Sequence, residues 1–84
     1  MIKTTFATLE SLLLELGFQH QPVTGTHLLY EHPQANVRIA LRPYQPDERV
    51  GAASLAYVRG TLDAWGIMER DEFEEQLRQR TRAS

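Results

Sequence analysis

The sequence predicts an α+β domain in which a helix, a three-stranded antiparallel sheet and a second helix follow one another (αβββα), the helices lying on one face of the sheet, with an additional helix at the C-terminal end. Three observations point there. An apolar stripe of helical period opens the chain, three short extended segments broken by turn residues follow it, and helical spacing resumes after a proline-rich stretch. With 84 residues and 42% apolar side chains, the chain has material for one thin two-layer core and no second one. It reads as a single domain over residues 1–84, with its core at about 5–67 and an accessory helix at about 69–80.

In residues 5–16, Phe6, Leu9, Leu12, Leu13 and Leu16 fall on one face of a helix. Thr4 or Thr5 can cap its N-terminus, and Gly17 followed by Phe18 has the form of a left-handed stop with its apolar partner. Residues 18–23 and 26–31 read as strands separated by the turn Thr24-Gly25, and His32-Pro33-Gln34-Ala35-Asn36 makes the next turn. In the third strand, 37–41, Val37, Ile39 and Leu41 alternate with polar or small residues, so they face inward. Such short connections favour antiparallel hairpins. Residues 42–50 carry two prolines and four charges and read as a loop across the domain edge. From Ala52 to Trp65, Leu55, Val58, Leu62 and Trp65 keep helical spacing up to Gly66, with Gly60 inside the helix either weakening it or admitting a close neighbour. Tyr57 and Trp65 are read as core aromatics sooner than as stacking platforms. In the last helix, Met68 and Phe73 can staple a Glu69 cap. Phe73 and Leu77 are its only anchors, so it either docks lightly or forms a homodimer, and Arg78, Arg80 and Arg82 read as a solvated tail.

Charge restrains function. Nine basic residues against 11 acidic ones give a net charge of −2, and no segment is basic overall. Binding of nucleic acid must therefore rest on local geometry, because bulk attraction is absent. The chain has no cysteine, which removes disulfides and thiol nucleophiles and suits a reducing compartment, so a cytoplasmic location is expected. No apolar run reaches the 18 or so residues of a membrane span, and no signal-peptide pattern opens the chain, so no membrane partner is expected. Neither Ser11 nor Ser54 sits in a nucleophile elbow, no phosphate-binding glycine loop occurs, and no cofactor is expected.

The residues with chemical potential gather around His27. Period-two alternation puts His27, Leu29 and Glu31 on one face of the second strand and Leu28, Tyr30 and His32 on the other. Leu28 and Tyr30 make the better core pair, which leaves His27 on the open face, with Arg38 and Arg42 outward on the third strand. An imidazole that moves protons beside guanidiniums that hold phosphate suits a phosphodiester substrate. The same arrangement also arises because open sheet faces are polar by default. His20, His27, Glu31 and His32 are metal-ligand types, yet their spacing does not gather them, so no metal site is expected.

The ordered features Leu16-Gly17-Phe18, Gly25-Thr26-His27, Tyr30-Glu31-His32-Pro33 and Val37 to Leu41 resemble the HicA (YcfA-like) toxin family, as does Leu62-Asp63-Ala64-Trp65-Gly66-Ile67 with Asp71-Glu72-Phe73 after it. The resemblance spans residues 8–77. It implies a fold like that of double-stranded-RNA-binding domains and a metal-independent endoribonuclease that acts on mRNA and is held inactive by a partner antitoxin. It further implies that His27, in the tripeptide Gly25-Thr26-His27, is catalytic, that Gly25 and Thr26 are binding residues beside it, and that Arg38 and Arg42 hold phosphate. A second reading stays open, a non-catalytic protein-interaction domain on the same scaffold. The single lysine and the pI near 5.9 favour it, whereas the tripeptide favours the nuclease.

Overall fold

A computed structural model describes residues 3–21 and 27–83. The elements follow the expected order: α1 (Phe6–Glu15), β1 (Gln19–Gln21), β2 (Leu28–His32), β3 (Val37–Leu41), α2 (Ala52–Ala64) and α3 (Arg70–Ala83). The strands form one antiparallel sheet in the order β1-β2-β3, with His20 opposite Tyr30 and Tyr30 opposite Ile39. Helix α1 lies against β1, α2 lies against β3, and α3 packs chiefly on the other two helices. The fold is thus α+β with a C-terminal helix.

Local chemistry sets the boundaries of α1 and α2. Thr5 caps α1, its hydroxyl accepting the Thr8 N–H at 3.4 Å. At the other end the Gly17 N–H donates to Leu14 O and the Phe18 N–H to Leu13 O, with Gly17 at φ +105°. This is a Schellman turn, and it recurs after α2, where Gly66 takes φ +69° and the Ile67 N–H reaches Leu62 O. That second turn corrects the reading of Trp65. The helix ends at Ala64, so Trp65 is the C-cap and stands 60% exposed, while Ile67 packs partly against the core. Tyr57 is likewise 43% exposed, and its hydroxyl accepts the Ala40 N–H at 3.3 Å, which satisfies a donor of edge strand β3. Neither aromatic is a core residue.

The C-terminal helix is docked more firmly than its two anchors suggested. Phe73 and Leu77 are fully buried, sealed between α1 and α2, and therefore covered within the chain itself. The expected solvated arginine tail is also corrected at Arg80, whose guanidinium bridges to Glu15 and Ser11 of α1. Arg59 holds Glu74, and Arg70 holds Asp63, so ion pairs rim the α2–α3 contact.

Gly60 makes no close approach. A methyl group there would meet the Arg70 Nη2 at 3.8 Å, an ordinary contact. Gly60→Ala should therefore stabilise the domain by about 0.5–1 kcal/mol because alanine loses less backbone entropy than glycine on folding, raising its urea midpoint without changing the slope.

Tyr30 is the largest fully buried side chain, and its hydroxyl donates to a Glu10 carboxylate oxygen. Burial first, and then this bond and charge, push its phenol well above the ordinary value of 10.0. A raised folded-state value means that stability is intact below the unfolded phenol's range and falls as pH rises beyond it. Urea denaturation across pH 8–11 should show stability falling from about pH 10. Tyr30→Phe should flatten that fall.

Candidate functional site

The sheet face away from the helices is assembled from alternate residues of all three strands. Gln19 and Gln21 of β1 stand beside Glu31 and Leu29 of β2, which stand beside Arg38 and Ala40 of β3. His27 is exposed one residue before β2. The register pairs Leu28 with Leu41, so its continuation sets His27 across from Arg42. The Arg42 side chain itself turns to the following loop, toward Glu48 and Tyr44. Arg38 is not brought to His27, because its partner Glu31 lies four residues along β2, about 13 Å from His27 at strand rise. Gly25 and Thr26, the other residues of the tripeptide, lie outside the described residues.

Both arginines are occupied. The Arg38 Nε donates to Glu31 at 2.8 Å across the strand pair. The Arg42 Nη2 donates to Glu48 at 2.8 Å and its Nη1 to Pro43 O at 2.9 Å, while the guanidinium carbon sits 3.8 Å over the Tyr44 ring. The Arg42 bond, helped by the Gln45 N–H, holds the Glu48 carboxyl below the usual carboxylate range, and Glu48 in turn raises Arg42. Burial pushes the Tyr44 phenol up, but hydrogen bonds at Ser54 and Gly51 and the Arg42 charge bring it below its ordinary value. A phosphate reaching Arg42 has to compete with Glu48.

The other histidines serve different ends. The His32 Nε2–H donates to Leu16 O at 3.1 Å, and its Nδ1 accepts the Ala35 N–H at 3.0 Å. That pair of bonds fixes a neutral tautomer and ties the end of α1 to the β2–β3 hairpin. The ring lies edge-on to Phe18 at 5.1 Å, so His32, which the sequence reading placed both on the Leu28–Tyr30 face of the second strand and at the head of the next turn, is a structural residue of β2. His20 on edge strand β1 faces the Tyr30 ring at 5.1 Å. Among the described residues no group of three or more histidines and acids gathers as a metal site.

Sequence reasoning missed what the 42–50 loop does. It folds back over the start of α1, where Pro46 O and Glu48 O accept the Ala7 and Phe6 N–H groups and the Val50 N–H donates to Thr4 O. A bridge between Thr5 and Arg49 completes the crossing. The loop's carbonyls thus satisfy helix donors that would otherwise be left open. Beneath it opens a pocket of about 320 Å³ whose lining includes Lys3, Thr4, Thr5, Thr8, Asp47 and Arg49. The only local signal for it was the threonine pair read as a helix cap.

No family model matches the chain, and no curated protein or solved structure is significantly similar to it.

Proposed function

We propose that this domain is an RNA-cleaving toxin of a toxin–antitoxin pair on a HicA-like scaffold, working in the cytoplasm, with His27 as the group that moves the proton. The observation that supports the reading is the exposure of His27 one residue before β2, where continuing the strand register would face it toward position 42. An imidazole there takes the proton of a ribose 2′-hydroxyl as that oxygen attacks the adjacent phosphorus. The P–O bond to the 5′-oxygen breaks, leaving a 2′,3′-cyclic phosphate on one product, and the imidazolium gives its proton to the departing oxygen to make the 5′-hydroxyl of the other. Arg42, once freed from Glu48, neutralises the charge on the phosphoryl oxygens.

A specific observation favours a second reading. Arg38 and Arg42 both end on carboxylates, and the chain is net acidic, which suits a protein partner better than a polyanion. Induced expression in bacteria separates the two. The nuclease reading expects growth arrest with progressive mRNA decay, both abolished by His27→Ala at equal protein level. Normal growth with intact RNA and folded protein overturns it and leaves the interaction domain.

A further inference from the structure

Six arginines of this domain, at positions 38, 42, 59, 70, 78 and 80, are bound to carboxylates. Among the described side chains, Lys3 and Arg49 are the cations outside such pairs, and both line the pocket at the N-terminal end of α1. They lie far apart in the sequence. The return of the 42–50 loop, fixed by the Thr5–Arg49 bridge, is what brings the two charges together.

A second observation, independent of charge, points the same way. Thr4 is 4% exposed, lines this pocket, and its Oγ1 is buried with no hydrogen-bond partner among the described residues. A buried hydroxyl without an acceptor is destabilising, and such an atom calls for a ligand or a bridging water. The hydroxyls of Thr5 and Thr8, bonded to each other at 3.1 Å, line the same wall. The positive end of the α1 dipole adds to the field, although its first N–H groups are already taken by the loop carbonyls and Thr5. Among the described residues of the lining Asp47 is the one acid, so two cations face one carboxylate and the balance is positive.

We infer that this pocket binds a phosphate group, with Lys3 and Arg49 supplying charge and Thr4 supplying a hydroxyl donor. The phosphate is either free, as inorganic phosphate or a small phosphorylated molecule, or part of an RNA backbone. In the latter case the site rests on the proposed function and deepens it by giving RNA a second hold away from His27. The pocket's volume accommodates a phosphate and part of an attached sugar, and its open form admits a polymer.

The test is a titration of the full-length ¹⁵N-labelled chain with inorganic phosphate, matched against sodium chloride at equal ionic strength. Saturable shifts are expected at the amides of Thr4, Thr5, Thr8 and Arg49, absent in chloride. Lys3→Gln and Arg49→Gln, both at exposed positions, should each weaken binding about tenfold, the loss of one charge-assisted bond. Thr4→Val keeps the shape and removes the hydroxyl, so it should weaken binding while leaving the phosphate-free melting temperature unchanged or higher. A parallel titration uses a 2′-O-methyl RNA oligomer, which lacks the internal nucleophile. Shifts at the same amides with that oligomer assign the phosphate to RNA, and shifts with inorganic phosphate alone assign it to a small ligand. No saturable shift with either probe, or shifts that survive the Lys3→Gln/Arg49→Gln double variant, overturns the site. Cleavage is tested at position 27 and phosphate binding at positions 3, 4 and 49, so failure of the nuclease reading is distinguishable from failure of this one.

Discussion

Alanine at position 73 should destabilise the whole domain by about 3–5 kcal/mol and lower its melting temperature by roughly 12 °C or more. Phe73 is one of the largest fully buried side chains, and with Leu77 it fills the space where α3 meets α1 and α2. Removing its ring leaves a cavity between helices that are also tied by Arg80–Glu15 and Arg59–Glu74, so the walls cannot collapse freely onto one another. A small domain is commonly stable by only about 5–15 kcal/mol, so this loss is a large share of the total. Thermal melting followed by circular dichroism checks it. A single cooperative transition that moves down as a whole identifies α3 as part of the core. A shift below about 1 kcal/mol, or a separate early loss of helix, contradicts the burial of Phe73 and restores the lightly docked helix expected from the sequence.

That expectation erred for a physical reason. Two anchors at i and i+4 are few for a helix, and their number is what the sequence displays. Their burial depends on two other helices converging on them, which no local pattern encodes. Where structure is local, the sequence was legible. The α1 stripe places Phe6, Leu9, Leu12 and Leu13 in the core, the alternation of β3 buries Val37, Ile39 and Leu41, and both Gly-terminated helices end as their glycines demand. Trp65 shows the limit of periodicity. Its spacing from Leu62 continues the apolar face, but the Gly66 turn reverses the chain there, and Ile67 packs against the core instead. The exposure of His27, Arg38 and Arg42 followed from alternation alone. Which carboxylate each arginine would choose did not, because Glu48 reaches Arg42 only after the loop has folded onto α1. The pocket at the start of α1 is invisible for the same reason, since Lys3 and Arg49 line it together only through that crossing.

On the proposed nuclease reading, replacing His27 should lower the rate of RNA cleavage by roughly 100-fold or more, the usual scale for removing a positioned general acid or base. The loss should fall on kcat, with KM nearly unchanged, because a proton transfer made in the transition state contributes little to ground-state binding. His27 is exposed, so His27→Ala should leave the stability within about 0.5 kcal/mol of the wild type, which separates a chemical loss from unfolding. Position 48 supplies the complementary arm. The Glu48 carboxylate neutralises the Arg42 guanidinium, so on the proposed reading Glu48→Gln should release Arg42 to the phosphate and raise kcat/KM severalfold, while Arg42→Ala should lower it. The two changes act on one cation in opposite directions, and a structural role for the Arg42–Glu48 pair would instead make both variants worse together. A fluorogenic RNA cleaved by purified protein reads all three variants. Equal activity of wild type and His27→Ala would remove the imidazole from the chemistry and leave the neutralised arginines as what they resemble on an acidic chain, parts of a surface that meets another protein.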